Sequence, residues 1–256
     1  MPSGRHAGKV AVCVGSATGM GAQSAYRLAM EGARVIIGDI NVEAAEILAQ
    51  RIRGDGGKAE AERCDIVSED EVNALIGGAA ARHGGLDLMH VNAADLSLGP
   101  VDRDALSTDL AVFDRTLEVG LRGHLLCTRA AIPLMRERGK GAIVYTSSDA
   151  AKTGAPFQFS YYVAKAGLNG LMRHVATRWG KKGIRANAIC PGLVLTETVL
   201  KTMSDEVRNA ALNSVPFERL GSVDDIANLV AFLLSDESGW INGQAISIDG
   251  GSVMHG

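Results

Sequence analysis

Two adjacent tyrosines, Tyr161 and Tyr162, precede a single lysine, Lys165, in the stretch SYYVAKAGL at residues 160–168. Only Tyr161 stands four residues before the lysine, a spacing that puts phenol and ammonium on one face of a helix. At about 5 Å and an effective dielectric of about 20, opposite charges attract by about 3 kcal/mol, enough to draw a phenol pKa toward neutrality. Such a phenol is a usable acid/base, whereas a tyrosine that merely packs needs only a partner for its hydroxyl.

A second group of residues points to an anion. The run VGSATGMG carries Gly15, Gly19 and Gly21 in a G-x3-G-x-G pattern between an apolar run and the helical pattern AQSAYRLAMEG. A strand, a glycine turn and a helix in that order let backbone approach a pyrophosphate with no Cβ in the way, and aim the helix N-terminus at it. No lysine follows the glycines, which excludes a triphosphate-binding loop. Asp39, 18 residues beyond Gly21, ends the next apolar run, where a carboxylate accepts hydrogen bonds from an adenosine ribose and repels a 2'-phosphate. Its neighbours Gly38, Ile40 and Asn41 bring no cation, so NAD(H) is expected rather than NADP(H). An aspartate closing a strand for turn chemistry alone is the plainer alternative.

These residues need strands and helices to hold them. Strands are predicted at 9–14, 34–39, 58–64, 86–91, 141–146, 184–189 and 244–249, with segments of helical period between them. That alternation predicts an α/β fold, a doubly wound, Rossmann-type parallel sheet of seven strands with helices on both faces and a ligand crevice beyond the carboxyl ends of the strands. No linker, low-complexity tract or repeat interrupts the chain, so residues 1–256 read as one dinucleotide-binding domain.

Composition agrees with a single large domain: 256 residues, 46% hydrophobic, 21% charged, with 31 glycines and 6 prolines. Lys+Arg 26 against Asp+Glu 29 and 4% aromatics offer neither a basic field nor stacking surfaces, so nucleic acid is not an expected partner. No apolar run is long enough to span a membrane, and the first residues hold no secretory apolar core, which places the protein in the cytoplasm. Cys13, Cys64, Cys127 and Cys190 are widely spaced and read as reduced packing residues. The scattered histidines His6, His83, His90, His124, His174 and His255 show no ligand spacing, and no metal is expected.

With glycines, acid and the Y-x-x-x-K pair in this order, the chain resembles the short-chain dehydrogenase/reductase family from about residue 8 to its end. Asp65 in CDI, Asn92-Ala93-Ala94 in place of N-A-G, PGLVLT at 191–196 and the closing Asp249-Gly250-Gly251 carry the resemblance further. It implies hydride transfer between a nicotinamide and a secondary alcohol or ketone, with Ser148 orienting the carbonyl, Tyr161 as acid/base and Lys165 also on the nicotinamide ribose. Ser147, beside it, is expected to be a buried turn serine. The resemblance sets the dinucleotide, NAD, against Gly15, Thr18, Gly19, Met20, Gly21, Asp39, Ile40, Asp65, Ile66, Asn92, Ala93, Ala94, Tyr161, Lys165, Pro191, Gly192, Val194 and Thr196, the last two holding its carboxamide. The Y-x6-K spacing of enoyl reductase relatives is absent, because Leu168 stands seven residues after Tyr161.

One position departs from the pattern. In TLEVGLRGHLLCTRAAIP, Gly120 replaces the family asparagine that holds a water of the proton relay, which leaves a poorly turning-over NAD(H) sensor of the same fold as the rival function. Residues 95–99, 154–160 and 193–203 are expected around the substrate, with a lid near 193–219 and an apolar wall from Leu96, Phe157, Phe159, Leu195, Val199, Leu200 and Met203, suited to an alicyclic substrate. A homotetramer is implied by the resemblance, paired through the helices at 112–138 and 160–179 and the strand segment at 243–251.

Overall fold

A computed structural model describes residues 4–254; His255 lies outside them. Its centre is β1 (Val10–Val14), whose five side chains are all buried. Alternate residues divide between two cores: Val10, Val12 and Val14 face one side of the sheet, Ala11 and Cys13 the other. A continuous apolar run is what a strand covered on both faces requires. On one face lie α1 (Gly19–Met30), α2 (Val42–Gly54) and α9 (Val223–Leu234), the last begun by a capping box in which Ser222 and Asp225 bond each other's backbone. On the other lie α3 (Glu69–His83), α5 (Gly123–Glu137) and α6 (Phe159–Trp179).

The remaining strands are β2 (Arg34–Asp39), β3 (Lys58–Arg63), β4 (Leu88–Val91), β5 (Gly141–Thr146), β6 (Ile184–Pro191) and β7 (Ala245–Ile248). All seven pair in parallel in the order β3-β2-β1-β4-β5-β6-β7. Successive crossovers run outward from β1 in one direction and, from β4, in the other. The order reverses between β1 and β4, and there the connecting loops diverge and leave a crevice. Each predicted strand forms, with β6 continuing two residues further, to Pro191, and β4 starting two residues later, at Leu88.

The helix expected over 112–138 is not uniform. α4 (Leu110–Leu117) passes through a π-helical turn at Glu118–Arg122 before α5. Gly120 lies inside this widened turn, buried, where a Cβ would sit 3.3 Å from the Ala164 Cβ on α6. The turn therefore presses backbone against the helix that carries Tyr161 and Lys165. The segment 193–219 forms α7 (Glu197–Thr202) and α8 (Asp205–Asn213), neither of which buries a residue. No helix among the described residues is long and apolar enough to cross a membrane.

Candidate active site

A cleft of 560 Å³ opens at the carboxyl ends of β1, β2, β4, β5 and β6. Its wall at the ends of β1 and β2 begins with Gly15, where φ of +68° and the nearness of Ala93, 2.4 Å from a would-be Cβ, both demand glycine. Gly21 lies beneath the wall rather than in it: a Cβ there would meet the Gly15 carbonyl at 2.7 Å and the Asn92 amide at 2.8 Å. The Asn92 amide also donates to the Gly15 carbonyl at 2.8 Å, tying the end of β4 to the loop after β1. The first turn of α1 has no side-chain cap from Thr18 and no acidic residue, so its N–H groups are open to an anion.

Asp39 stands at the cleft edge and braces the glycine loop, accepting from Ala17 N at 2.9 Å and Asn41 N at 3.0 Å. Arg63 is its register partner on β3, but the guanidinium is engaged by Glu71. Asp65, Ile66, Ile40, Met20 and Ala94 complete that side. Of the residues assigned to the dinucleotide from sequence, Gly21 and Val194 alone do not line the cleft. Val194 turns its side chain into the core, and its carbonyl accepts from Thr196 N at 2.9 Å.

The other end of the cleft holds Ser148, Tyr161 and Lys165. β5 delivers the serine and the first two turns of α6 deliver the pair. Lys165 is 2% exposed; its ammonium lies 5.5 Å from the Tyr161 ring centroid and donates to the Thr146 carbonyl at 2.8 Å. Ser147 lines the cleft beside its neighbour and donates to the Lys165 carbonyl at 3.3 Å, so this buried serine steadies the helix. Burial penalises the charged form of both titrating groups: it pushes the Tyr161 phenol up and the Lys165 ammonium down to about 8, while the Ser148 hydroxyl draws the phenol back. After burial and the Ser148 hydroxyl, the groups that act on the phenol are Tyr162, Cys190 and Asp149, which add to its rise.

Sequence reasoning did not assign Val14, Cys64, Arg115, Val119 or Thr146 to the cleft, whereas Asp95 and Thr198 fall in the segments 95–99 and 193–203 expected around the substrate. Asp95 and Arg115 face each other at 3.8 Å, and Arg115 also pairs with Glu118 at 2.8 Å. No spacing signal marks this pairing, since the two residues come from a loop and a helix 20 residues apart. Of the seven apolar residues expected around the substrate, Leu96 is the one that lines the cleft. Phe159 instead stacks on Phe113, ring centroids 5.8 Å apart, and Phe157 and Leu200 project outward, 66% and 52% exposed. His90 is buried, with Nε2 2.9 Å from the Thr146 hydroxyl, and burial holds its pKa at about 3. All four cysteines are buried and unpaired.

Residues 14–253 match a family model described as enoyl-(acyl carrier protein) reductase. The chain is 42% identical to a probable short-chain type dehydrogenase/reductase of Bradyrhizobium diazoefficiens, over 98% of this chain and 90% of that one. This chain belongs to the short-chain dehydrogenase/reductase family. It is 37% identical to a cis-4-hydroxycyclohexanecarboxylate dehydrogenase of Sinomonas cyclohexanicum, covering 95% of this chain and 96% of its relative. A solved 7α-hydroxysteroid dehydrogenase, complexed with NADH and 7-oxo glycochenodeoxycholic acid, superposes with a TM-score of 0.91 at 33% identity, covering 98% of this chain and 96% of its own.

Proposed function

We propose that the protein is an NAD(H)-dependent oxidoreductase that interconverts a secondary alcohol and a ketone, with an alicyclic, largely apolar substrate. The observation that carries this reading is the convergence of Ser148, Tyr161 and Lys165 on one cleft whose far wall is a glycine loop, an uncapped helix N-terminus and Asp39. Those features fit a dinucleotide: Gly15, Gly19 and the start of α1 would hold its pyrophosphate, Asp39 its adenosine ribose, and Pro191, Gly192 and Thr196 its nicotinamide end. When bound, that group supplies or accepts the hydride. The chain's own work is then to orient a carbonyl through the Ser148 hydroxyl and to hold a proton at the Tyr161 phenol oxygen. Lys165, buried and near 8, changes charge within the range where a phenol must give or take that proton. Asp39 with Arg63 engaged elsewhere supports NAD over NADP. Relatives named for a hydroxysteroid and a hydroxycyclohexanecarboxylate support a ring alcohol.

We extend the proposal to a cytoplasmic homotetramer. Four unpaired, buried thiols suit a reducing compartment. Leu106, Leu110 and Leu125 are 99%, 75% and 42% exposed along α4, α5 and the loop before them, and no residue of β7 is fully buried, leaving two faces for further copies. Light scattering at micromolar concentration is expected to give the mass of four chains.

A screen of cyclic secondary alcohols with NAD+, followed by absorbance, tests the chemistry. Turnover is expected, and Tyr161→Phe is expected to lower kcat by about a thousandfold. NADH binding without consumption of any ketone overturns the enzyme in favour of the NAD(H) sensor.

A further inference from the structure

α6 starts without a cap of its own. Gln158, at its N-cap, has φ of +60°, the one non-glycine with positive φ among the described residues; it makes no side-chain cap bond, and the first turn holds no acidic residue. A helix N-terminus in that condition leaves its N2 and N3 N–H groups open. Here N2 is Ser160 and N3 is Tyr161, yet both are satisfied. Asp102, from the loop between β4 and α4, accepts from Ser160 N at 3.1 Å, from the Ser160 hydroxyl at 2.8 Å and from Tyr161 N at 3.1 Å. The Thr108 hydroxyl donates to the same carboxylate at 3.4 Å. Backbone pairing reinforces the junction, with Gln158 N donating to the Asp102 carbonyl at 2.9 Å and Phe159 N to the Arg103 carbonyl at 3.1 Å. The carboxylate is nearly inaccessible, 4% exposed. The loop that carries it also carries Asp95 and Leu96, which line the cleft.

We propose that Asp102 is a positioning residue for the reaction at Tyr161: it supplies the missing cap of α6 from a distant loop and so locks the phenol's place to the seating of the substrate-side loop. This rests on Tyr161 acting as the acid/base. A carboxylate at the positive end of a helix, bonded to the N–H of the reacting residue itself, fixes where the side chain leaves the backbone. A displacement of about 1 Å at a reacting group is enough to slow chemistry on the order of a hundredfold.

The experiment compares Asp102→Asn with Asp87→Asn. Asp87 is equally buried, also 4% exposed, and also accepts a backbone bond, from Val10 N at 2.9 Å, but at the opposite end of the sheet. With the best ketone of the screen, Asp102→Asn is expected to lower kcat by about tenfold while KM for the ketone and NADH affinity by fluorescence change by less than about threefold. The deuterium isotope effect on kcat with 4-deuterated NADH is expected to rise, since the chemical step becomes limiting. Asp87→Asn is expected to lower the melting temperature and leave kcat and the isotope effect alone. If Asp102→Asn lowers only the melting temperature, as Asp87→Asn does, the proposal is overturned. Should Asp102→Asn not fold, Ser160→Ala removes the 2.8 Å bond alone; a decline in kcat with a raised isotope effect supports the proposal and an unchanged pair overturns it. Tyr161→Phe separates the two levels: retained turnover defeats the acid/base reading beneath, whereas an inactive Tyr161→Phe beside an unaffected Asp102→Asn defeats the positioning alone.

Discussion

The two walls of the cleft are built differently. Along the side formed by β1 and β2, β1 and most of β2 are buried, and glycines lie where a Cβ would strike backbone, at 2.4 Å from Ala93 for Gly15 and 2.7 Å from the Gly15 carbonyl for Gly21. Along the side of residues 193–219, from which Thr196 and Thr198 line the cleft, α7 and α8 bury no residue, and Leu200, Val207 and Phe217 are each 52% exposed. A close-packed wall presents one shape, which suits a ligand that never varies. A wall with few buried contacts opens and closes at low free energy and accepts sequence change, which suits the part that selects a substrate.

The sharpest way to break this contrast is to overpack the rigid wall. Gly21→Ala forces backbone apart at a cost of about 2 kcal/mol, so NADH affinity, read by fluorescence, should fall about thirtyfold. Thr198→Ala, on the part of α7 that lines the cleft, should shift ketone KM and leave NADH affinity as it is; equal losses of NADH affinity from both would erase the distinction. Asp39→Ala tests whether the rigid wall also selects the cofactor. The ratio of kcat/KM for NAD+ over NADP+ is expected to drop by about tenfold, roughly 1.4 kcal/mol of lost discrimination. A native chain using both cofactors equally well would remove carboxylate selection from the picture.

Smaller effects are expected at positions that do not line the cleft. At Gly120 a Cβ would come 3.3 Å from the Ala164 Cβ, tight but not colliding, inside a π-turn whose widened backbone already departs from regular bonding. Gly120→Asn should therefore change kcat by less than about tenfold, and rescue of an inactive native chain by this substitution would instead mark a decayed site. The smallest effect concerns Asp149, which follows Ser148. Burial, and then the Asp249 carboxylate, raise its pKa from 3.8 to about 7. The folded chain thus keeps a proton that the unfolded chain releases; the stability this contributes is complete below pH 3.8 and is lost as pH rises through about 7. Asp149→Asn, neutral throughout, should raise the melting temperature by about 3 °C at pH 8 and lose that advantage toward pH 4. A constant difference across pH would show that the carboxyl titrates normally.

What a reader of the sequence could see was chemistry carried by near neighbours. The i, i+4 pair Tyr161 and Lys165 depends on helical repeat alone, and the Gly15 turn depends on a φ of +68° that only local backbone demands. Seven strands followed from β-branched runs that a sheet covered on both faces must have. Asp102 gave no such signal: it meets Tyr161 only because the loop after β4 folds onto the start of α6, 59 residues later. Of the expected apolar wall, Leu96 lines the cleft, while Phe159, free in sequence to face it, stacks in the fold on Phe113. The directions of the Tyr161, Lys165 and Asp149 pKa shifts likewise waited on the structure. Spacing along a chain fixes which groups can meet across one helical turn, but desolvation and contact between distant segments exist only once the layers have closed over them.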